Sequence, residues 1–192
     1  MKEQLIIGAG LSGMVAAINL AREGYSVKVI ERRDRVGGLT EIKGLEGRII
    51  NIGDGTPIDL ERMRLYTGID FTPAATPLAS CSTHVYGRHF EFEFYRGVPA
   101  YLVERGPRPT SLDVYLYETA LAEGVEFSFN DTVTDFDGLP PDTIVATGLF
   151  GEAWKPLGVP HLPVYGYLAM GETAEDDPRV VIYFDEYTRD YA

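Results

Sequence analysis

The chain opens on Leu5-Ile6-Ile7-Gly8-Ala9-Gly10-Leu11-Ser12-Gly13, and this stretch decides the fold. An apolar strand runs into three glycines spaced as G-x-G-x-x-G, and the pattern predicts a helix from Ser12 to about Glu23. Gly8 lets the chain turn sharply out of the strand, and Gly10 lets a pyrophosphate approach the backbone. Gly13 lets the helix pack close against the sheet. The stretch therefore predicts a βαβ unit that binds an adenine dinucleotide at the N-terminus of its helix.

A second predicted strand, residues 26–30, ends in Glu31. A carboxylate at this place can accept hydrogen bonds from both hydroxyls of an adenosine ribose. It would repel a 2′-phosphate, although Arg32 and Arg33 follow directly and weaken that argument. Because strand, turn, helix, second strand and acid occur together, we prefer a nucleotide site to a plain strand-turn-helix unit with coincidental glycines.

A second glycine pair follows at Gly37-Gly38, after the basic segment 32–35. Paired glycines would let the backbone pass close to a ligand, and the arginines around them, Arg32 included, could neutralise a diphosphate. A solvated basic loop is the alternative. Residues 53–57 are predicted to turn, and Thr56 or Asp54 is predicted to cap a helix that begins at Pro57. This turn is either a second place where bare backbone faces a cofactor or an ordinary turn.

Residues 71–77 are rich in Pro, Ala and Thr, which indicates a crossing between subdomains. Two strands are predicted beyond it, 83–86 and 88–95, in an antiparallel sheet that residues 164–170 and 179–184 are expected to join. Phe90, Phe92 and Phe94 share one face of the second strand. We favour a sheet's core face for them over one wall of an apolar cavity.

The last part of the predicted first sheet comes after a helix that Thr110 or Ser111 caps and Gly124 ends. Strands are predicted at 125–129, 132–136 and 142–146, and the last of them ends in Thr147-Gly148, at the carboxyl edge where ligands of open α/β sheets bind. We therefore predict a dinucleotide-binding domain from 1–75 and 105–150. Segments 76–104 and 151–192 are predicted to form part of an antiparallel substrate domain.

Composition narrows the cellular setting and the partners. With 17 basic and 29 acidic side chains, the formal net charge is −12, which disfavours nucleic acid and anionic membrane surfaces as partners. The single cysteine fits a reducing compartment, and no apolar run is long enough to span a membrane. These features predict a cytoplasmic protein with no transmembrane segment, while peripheral membrane contact stays open. The three histidines form no metal-binding pattern, and neither the catalytic residues nor the oligomeric state is assigned.

The opening motif, Glu31 and the pair Gly37-Gly38 together resemble the FAD-binding start of glutathione-reductase-like flavoproteins. Later segments are similar to the geranylgeranyl reductase family, which has the aromatic-hydroxylase type of flavoprotein fold. They are Arg108-Pro109-Thr110-Ser111-Leu112-Asp113, Ala122-Glu123-Gly124-Val125-Glu126 and Ile144-Val145-Ala146-Thr147-Gly148. The fold class implied is α/β: a Rossmann-like, three-layer FAD-binding domain with an inserted antiparallel substrate sheet.

The resemblance implies a non-covalent FAD whose ADP half is held by Gly8, Gly10, Gly13 and Glu31. It also places Arg108 near the cofactor, Val133 near the adenine and Gly148 along the path of the flavin. The implied reaction is hydride transfer from reduced flavin to a carbon–carbon double bond of an apolar, isoprenoid substrate. Related flavoproteins are longer and carry a final Gly-Asp motif that this chain lacks, so we expect a truncated, N-terminal part of such a protein.

The resemblance is incomplete at one turn, where many members carry Cys-Gly-Glu-Gly beside the flavin. This chain has Ile52-Gly53-Asp54-Gly55 there, so no catalytic cysteine is carried over. Two other functions stay open. Glu31 followed by Gly37-Gly38 also fits an amine-oxidase-like or desaturase-like flavoprotein. A non-catalytic module that binds an adenine dinucleotide belongs to a different class.

Overall fold

The computed structural model describes residues 2–38, 52–57, 59–93, 100–148, 153–160 and 179–184, with 52–57 and 179–184 described for their backbone alone. The helices are α1 (Leu11–Arg22), α2 (Leu60–Thr67) and α3 (Leu112–Ala122), and a short 3₁₀ helix spans Thr72–Ala74. The strands are β1 (Glu3–Ile7), β2 (Ser26–Ile30), β3 (Ile52–Pro57), β4 (Ala75–Pro77), β5 (Ser80–Val85), β6 (Arg88–Glu93), β7 (Ala100–Arg105), β8 (Glu126–Ser128), β9 (Ile144–Val145) and β10 (Arg179–Phe184).

A parallel sheet in the order β8-β2-β1-β9 confirms the predicted Rossmann-like core. β1 pairs in parallel with β2, so that Ile7 lies beside Ile30, and on its other side Ile7 lies beside Val145 of β9. The carboxyl ends of these strands therefore meet at one edge of the sheet. The segment 142–146 returns to the first sheet as expected.

Helices α1 and α3 cover this sheet and complete the core. Met14, Ala17 and Ile18 of α1 are buried, as are Leu116 and Ala120 of α3. Their spacing of three and four residues places them on one side of each helix, so both helices present an apolar face to the sheet. Within the described residues, no helix is long and apolar enough to cross a membrane.

The predicted turn at residues 53–57 is wrong. These residues belong to β3, which pairs antiparallel with β7, and β7 pairs with β4 on its other side. Because a ladder partner far along the chain supplies the hydrogen bonds, the turn preference of the glycines does not decide the conformation. Helix α2 consequently begins at Leu60, and its cap is the Asp59 carboxylate, which accepts hydrogen bonds from the amides of Glu61 and Arg62.

The hairpin predicted around Gly87 is confirmed as β5 and β6, but two details differ. β10 was expected in an antiparallel sheet, and it pairs parallel to β5. Parallel and antiparallel edge strands carry the same alternating pattern, so the pattern does not give the direction. The side chains of Phe90 and Phe92 are exposed, which contradicts their predicted place in a core face. Phe94 and the predicted strand 164–170 lie outside the described residues.

Residues 132–136 were predicted as a strand and have no regular structure. Asp135 folds this segment locally, since its carboxylate accepts hydrogen bonds from the amides of Asp137 and Gly138. Such side-chain acceptors compete with a sheet ladder for the backbone donors. The predicted domain boundaries stay a prediction. The sheet β3-β7-β4 combines β3, from the predicted dinucleotide-binding domain, with β7, which lies almost entirely in the predicted substrate domain.

Candidate nucleotide-binding site

A cavity of about 260 Å³ lies at the carboxyl edge of the parallel sheet. Its lining comes from the loop after β1, the segment after β2, the end of β7, the start of α3, the loop after β8 and the end of β9. The lining residues are Ile7, Gly8, Ala9, Gly10, Ile30, Glu31, Arg32, Arg33, Arg35, Val36, Gly37, Gly38, Arg105, Asp113, Asp131, Thr132, Val133, Phe136, Ala146, Thr147 and Gly148. Sites that enclose a whole drug-sized ligand span roughly 300–1,000 Å³, so the described walls could enclose only part of a ligand as large as a dinucleotide.

The three glycines of the opening motif have different surroundings. A Cβ added at Gly13 would lie 2.0 Å from the Gly8 carbonyl oxygen, and one added at Gly8 would lie 2.4 Å from the Ala146 oxygen. Both glycines are therefore required by packing, and Gly8 also has a φ of 105°. A Cβ at Gly10 would have nothing within 4 Å. Packing among the described residues therefore does not require a glycine at position 10. The free space beside Gly10 belongs to the cavity, which Gly10 lines.

Gly10 is also the N-cap residue of α1, and no side chain caps the helix. The first amides of an α-helix have no partner within the helix, and the helix dipole adds partial positive charge at this end. The N-terminus of α1 thus presents donors beside a wall of bare backbone. This arrangement suits an anion such as a diphosphate.

Glu31 is fixed by two backbone amides. Its Oε2 accepts a hydrogen bond from the Ala9 amide at 2.9 Å, and its Oε1 accepts one from the Arg33 amide at 3.0 Å. The carboxylate therefore ties the glycine loop to the segment after β2. An ionised carboxylate offers about four acceptor positions, so two remain for other donors such as ribose hydroxyls.

Four arginines, Arg32, Arg33, Arg35 and Arg105, are among the residues that line the cavity. Arg35 donates two hydrogen bonds to Asp34, at 2.9 and 2.7 Å, and these bonds hold the pKa of the exposed Asp34 carboxyl below its ordinary value. In a chain with a net charge of −12, this concentration of arginines marks the cavity as a place for an anionic ligand.

Gly37 forms a close contact with the segment before α3. Its φ is 72°, and a Cβ at this position would lie 2.3 Å from the carbonyl group of Gly106. The predicted need for glycine at residue 37 is thus explained by a protein contact as well as by the cavity. A Cβ at Gly38 would lie 2.4 Å from Cδ of Arg33, so the glycine pair also makes room for that arginine.

The loop after β8 wraps around the segment that follows β2. The Asn130 amide donates a hydrogen bond to the backbone carbonyl oxygen of Arg33 at 2.8 Å, and the Asp131 amide donates one to the backbone carbonyl oxygen of Glu31 at 3.0 Å. Asn130 has a φ of 55°, in the left-handed region that asparagine tolerates better than most residues. These bonds place Val133 in the cavity lining, beside the end of β2.

Of the predicted site residues, only Gly13 and Arg108 are not in the cavity lining. Gly13 supports the loop from behind. The side chain of Arg108 is 67% exposed and lies 3.6 Å from Glu104, so its role near a cofactor stays a prediction. Sequence reasoning missed Arg105 and Asp113 as a pair. The signal in the sequence was Asp113, a carboxylate in the first turn of α3 beside the apolar positions of that helix.

The two histidines that the structure describes, His84 and His89, belong to no metal centre among the described residues. His84 and His89 stack with ring centroids 4.7 Å apart on the exposed hairpin, and His89 Nε2 lies 2.6 Å from Ser82 Oγ. Among the described residues, no group of three or more His, Cys, Asp or Glu side chains could hold a metal ion. His161 lies outside the described residues.

Comparison with known proteins agrees with this geometry. Residues 6–58 match the family described as NAD(P)-binding Rossmann-like domain. A kynurenine 3-monooxygenase from Salinispora arenicola (strain CNS-205) is 30% identical over 154 residues, which is 78% of this chain and 32% of that protein. Desaturases and flavin-containing monoamine oxidases are among the other curated relatives. The chain spans about a third or less of the length of the curated relatives it matches.

Among solved structures, CtdE shows the same fold. CtdE in complex with FAD and a substrate superposes with a TM-score of 0.55 and 20% identity, over 81% of this chain and 40% of that one. A geranylgeranyl bacteriochlorophyll reductase-like protein from Thermoplasma acidophilum gives a TM-score of 0.48 and 19% identity, over 68% of this chain and 30% of that one. The predicted Rossmann-like flavoprotein fold is confirmed. Residues 6–58 are therefore similar to NAD(P)-binding Rossmann-like domains, and the chain shares its fold with CtdE, whose structure contains FAD.

Proposed function

We propose that this chain forms the FAD-binding part of a flavin-dependent oxidoreductase. One observation carries the proposal: Gly10 lines the cavity at the N-terminus of α1, and no atom of the described residues fills the space where its side chain would stand. Bare backbone beside helix amides is what a diphosphate requires. The FAD-bound structure of CtdE, which shares this fold, supports FAD as the dinucleotide.

The residues of the cavity divide the binding between them. The amides at the start of α1 and the backbone of Gly10 would hold the diphosphate, together with guanidinium groups from the segment 32–35. Glu31 would accept hydrogen bonds from the ribose, and Val133 would lie against the adenine. Thr147 and Gly148, at the carboxyl end of β9, would contact the part of the ligand that leads toward the flavin.

When bound, FAD would supply hydride transfer, while the protein supplies position and exclusion of water. The resemblance to geranylgeranyl reductases favours reduction of a carbon–carbon double bond in an apolar small molecule. The kynurenine 3-monooxygenase, matched over 78% of this chain, favours hydroxylation as the second candidate. An amine-oxidase-like or desaturase-like reaction is the third. We also propose a cytoplasmic location, since the net charge of −12 and the single cysteine both fit it.

The first experiment asks which dinucleotide binds. The purified chain is examined by absorption spectroscopy for bound flavin and then titrated with FAD, NAD and ADP. We expect a flavin spectrum and a preference for FAD over NAD, with the flavin reducible by dithionite. Equal affinity for ADP, NAD and FAD would instead support a non-catalytic nucleotide-binding module. Failure to bind any of the three would overturn the proposal.

A matched pair of variants places the binding in the cavity. Gly10→Ala should weaken FAD binding by at least about tenfold, because the added methyl group occupies the space that we assign to the diphosphate. Arg22→Gln serves as the control, since Arg22 pairs with Glu123 at 2.7 Å and does not line the cavity. Full FAD affinity in Gly10→Ala would show that the dinucleotide lies elsewhere. Turnover with isoprenoid, aromatic and amine substrates then separates the three reactions.

A further inference from the structure

Asp113 is a buried carboxylate in the first turn of α3, with 2% of its side chain exposed. Its Oδ2 accepts hydrogen bonds from Arg105 Nε at 2.9 Å and from the Gly106 amide at 2.9 Å, and its Oδ1 accepts one from Arg105 Nη2 at 3.1 Å. A buried charge is tolerated only when such partners compensate for the lost water. Hydrophobic residues of the same size often stabilise a protein as well as a buried ion pair does, so stability alone does not explain this pair.

Both backbone polar groups of Gly106, its amide and its carbonyl, are hydrogen-bonded to side chains. Its amide donates to Asp113, and its carbonyl accepts a hydrogen bond from the buried Ser111 hydroxyl at 2.5 Å. The carbonyl group of Gly106 also lies against Gly37, with no space for a Cβ between them. Asp113 therefore fixes the backbone that supports the Gly37 wall of the cavity.

Arg105 gives the second connection to the cavity. It lines the cavity with Asp113, and 20% of its side chain is exposed. The two-pronged contact fixes the plane of the guanidinium and uses two of its five N–H donors. Because Asp113 balances the charge of Arg105, as Asp34 balances that of Arg35, Arg105 offers the cavity oriented donors.

We propose that Asp113 is a positioning residue that orients the Arg105 guanidinium, and with it the Gly37 wall, toward the diphosphate of the bound dinucleotide. The inference rests on the proposed function, because it needs a dinucleotide in this cavity. A second part of the lining, Asp131 and Val133, follows Asn130; the amides of Asn130 and Asp131 are bonded to the carbonyl oxygens of Arg33 and Glu31, and this second wall would face the nucleoside. Substitution of Asp113 should therefore weaken the binding of ligands that carry phosphate groups more than the binding of ligands that carry none.

The test measures the affinities of wild type and Asp113→Asn for FAD, ADP and adenosine by calorimetry, with weak binding read by competition. The variant should lose about tenfold or more in affinity for FAD and ADP, because the loss of oriented, charge-assisted hydrogen bonds to the phosphates is expected to have at least this effect. Adenosine binding should change by less than about twofold. A purely structural role would weaken all three ligands alike, and that result would overturn the proposal.

A double-mutant cycle with Arg105→Gln tests whether Asp113 acts through the arginine. The double variant should bind ADP about as weakly as the weaker single variant. A full second loss would show that the two residues act separately and would contradict the proposal. The pair Arg22→Gln and Glu123→Gln is the matched control, because it removes an ion pair outside the cavity lining. The control variants should bind ADP like wild type.

A replacement variant and the FAD binding of wild type distinguish failure of this inference from failure of the proposed function. If Asp113→Asn fails to fold, Arg105→Lys replaces it, since a lysine keeps the charge and loses the planar fork. Arg105→Lys should also lose about tenfold in ADP affinity, and unchanged affinity would overturn the proposal. If wild type itself binds no FAD, the proposed function fails. If wild type binds FAD and Asp113→Asn binds it equally well, only the present inference fails.

Discussion

The substitutions Gly10→Ala and Gly13→Ala should have different effects, because Gly10 leaves space for a ligand and Gly13 is required by packing in the fold. Both glycines belong to the same motif, and both lie within the first turn of α1 or directly before it. A Cβ at Gly10 meets nothing within 4 Å, and one at Gly13 lies 2.0 Å from a backbone oxygen of Gly8. The two substitutions add the same methyl group to opposite environments.

The expected energies follow from these contacts. At Gly13 the methyl group must gain more than about 1 Å of separation from Gly8, so the helix moves off the strand; overpacking of this kind costs about 3 kcal/mol. At Gly10 the backbone has φ −77° and ψ 177°, which any residue adopts. Alanine there loses about 0.5–1 kcal/mol as a helix cap, and the less flexible unfolded chain offsets about 0.4–1 kcal/mol. The free energy of unfolding should therefore stay within about 1 kcal/mol of wild type.

Urea unfolding followed by circular dichroism, without nucleotide, measures the stability of each variant. FAD titration of the folded proteins measures binding. We expect Gly13→Ala to lose stability, and Gly10→Ala to keep its stability and lose FAD affinity. The reasoning is refuted if Gly13→Ala unfolds at the same urea concentration as wild type. It is equally refuted if Gly10→Ala loses about 3 kcal/mol of stability.

Three other substitutions test separate parts of the structure. Glu31→Gln should cost about 1–3 kcal/mol, because its amide NH₂ would face a backbone amide, that of Ala9 or Arg33; unchanged urea stability would contradict the two-bond geometry. Leu116→Ala should cost about 2–5 kcal/mol, since Leu116 is fully buried in the core, and a loss below about 1 kcal/mol by the same assay would argue against this core. Hydrogen bonds from Thr72 lower the pKa of Asp70, so its contribution to stability is present above the unfolded pKa of about 3.9 and is lost as the pH falls through the folded pKa. The stability difference between wild type and Asp70→Asn, measured from pH 7 to pH 2, should therefore shrink below about pH 4, and a difference that does not depend on pH would exclude this role.

The sequence by itself determined the nucleotide-binding half of this protein. Gly13 packs against Gly8 and the Ser111 cap bonds to Val114, so both act through neighbours close in the chain, and the structure has α1 and α3 within a residue of their predicted starts. Short-range contacts of this kind depend on spacing, which a sequence displays directly. The strand that returns at Ile144 could also be predicted, because an apolar run ending in glycine is typical of the edge where ligands bind.

Tertiary structure decided what depends on partners far along the chain. Gly53 lies in a strand because β7 supplies its ladder, and Phe90 is exposed although its strand alternates as a half-buried one does. The contact of Gly37 with Gly106 arises only when the segment before α3 packs beside the segment after β2. Local preferences are weaker than the hydrogen bonds and buried contacts that such packing creates. For this reason the sequence predicts a dinucleotide site, and only the folded chain brings Gly37, Arg105 and Asp113 together in the lining of the cavity.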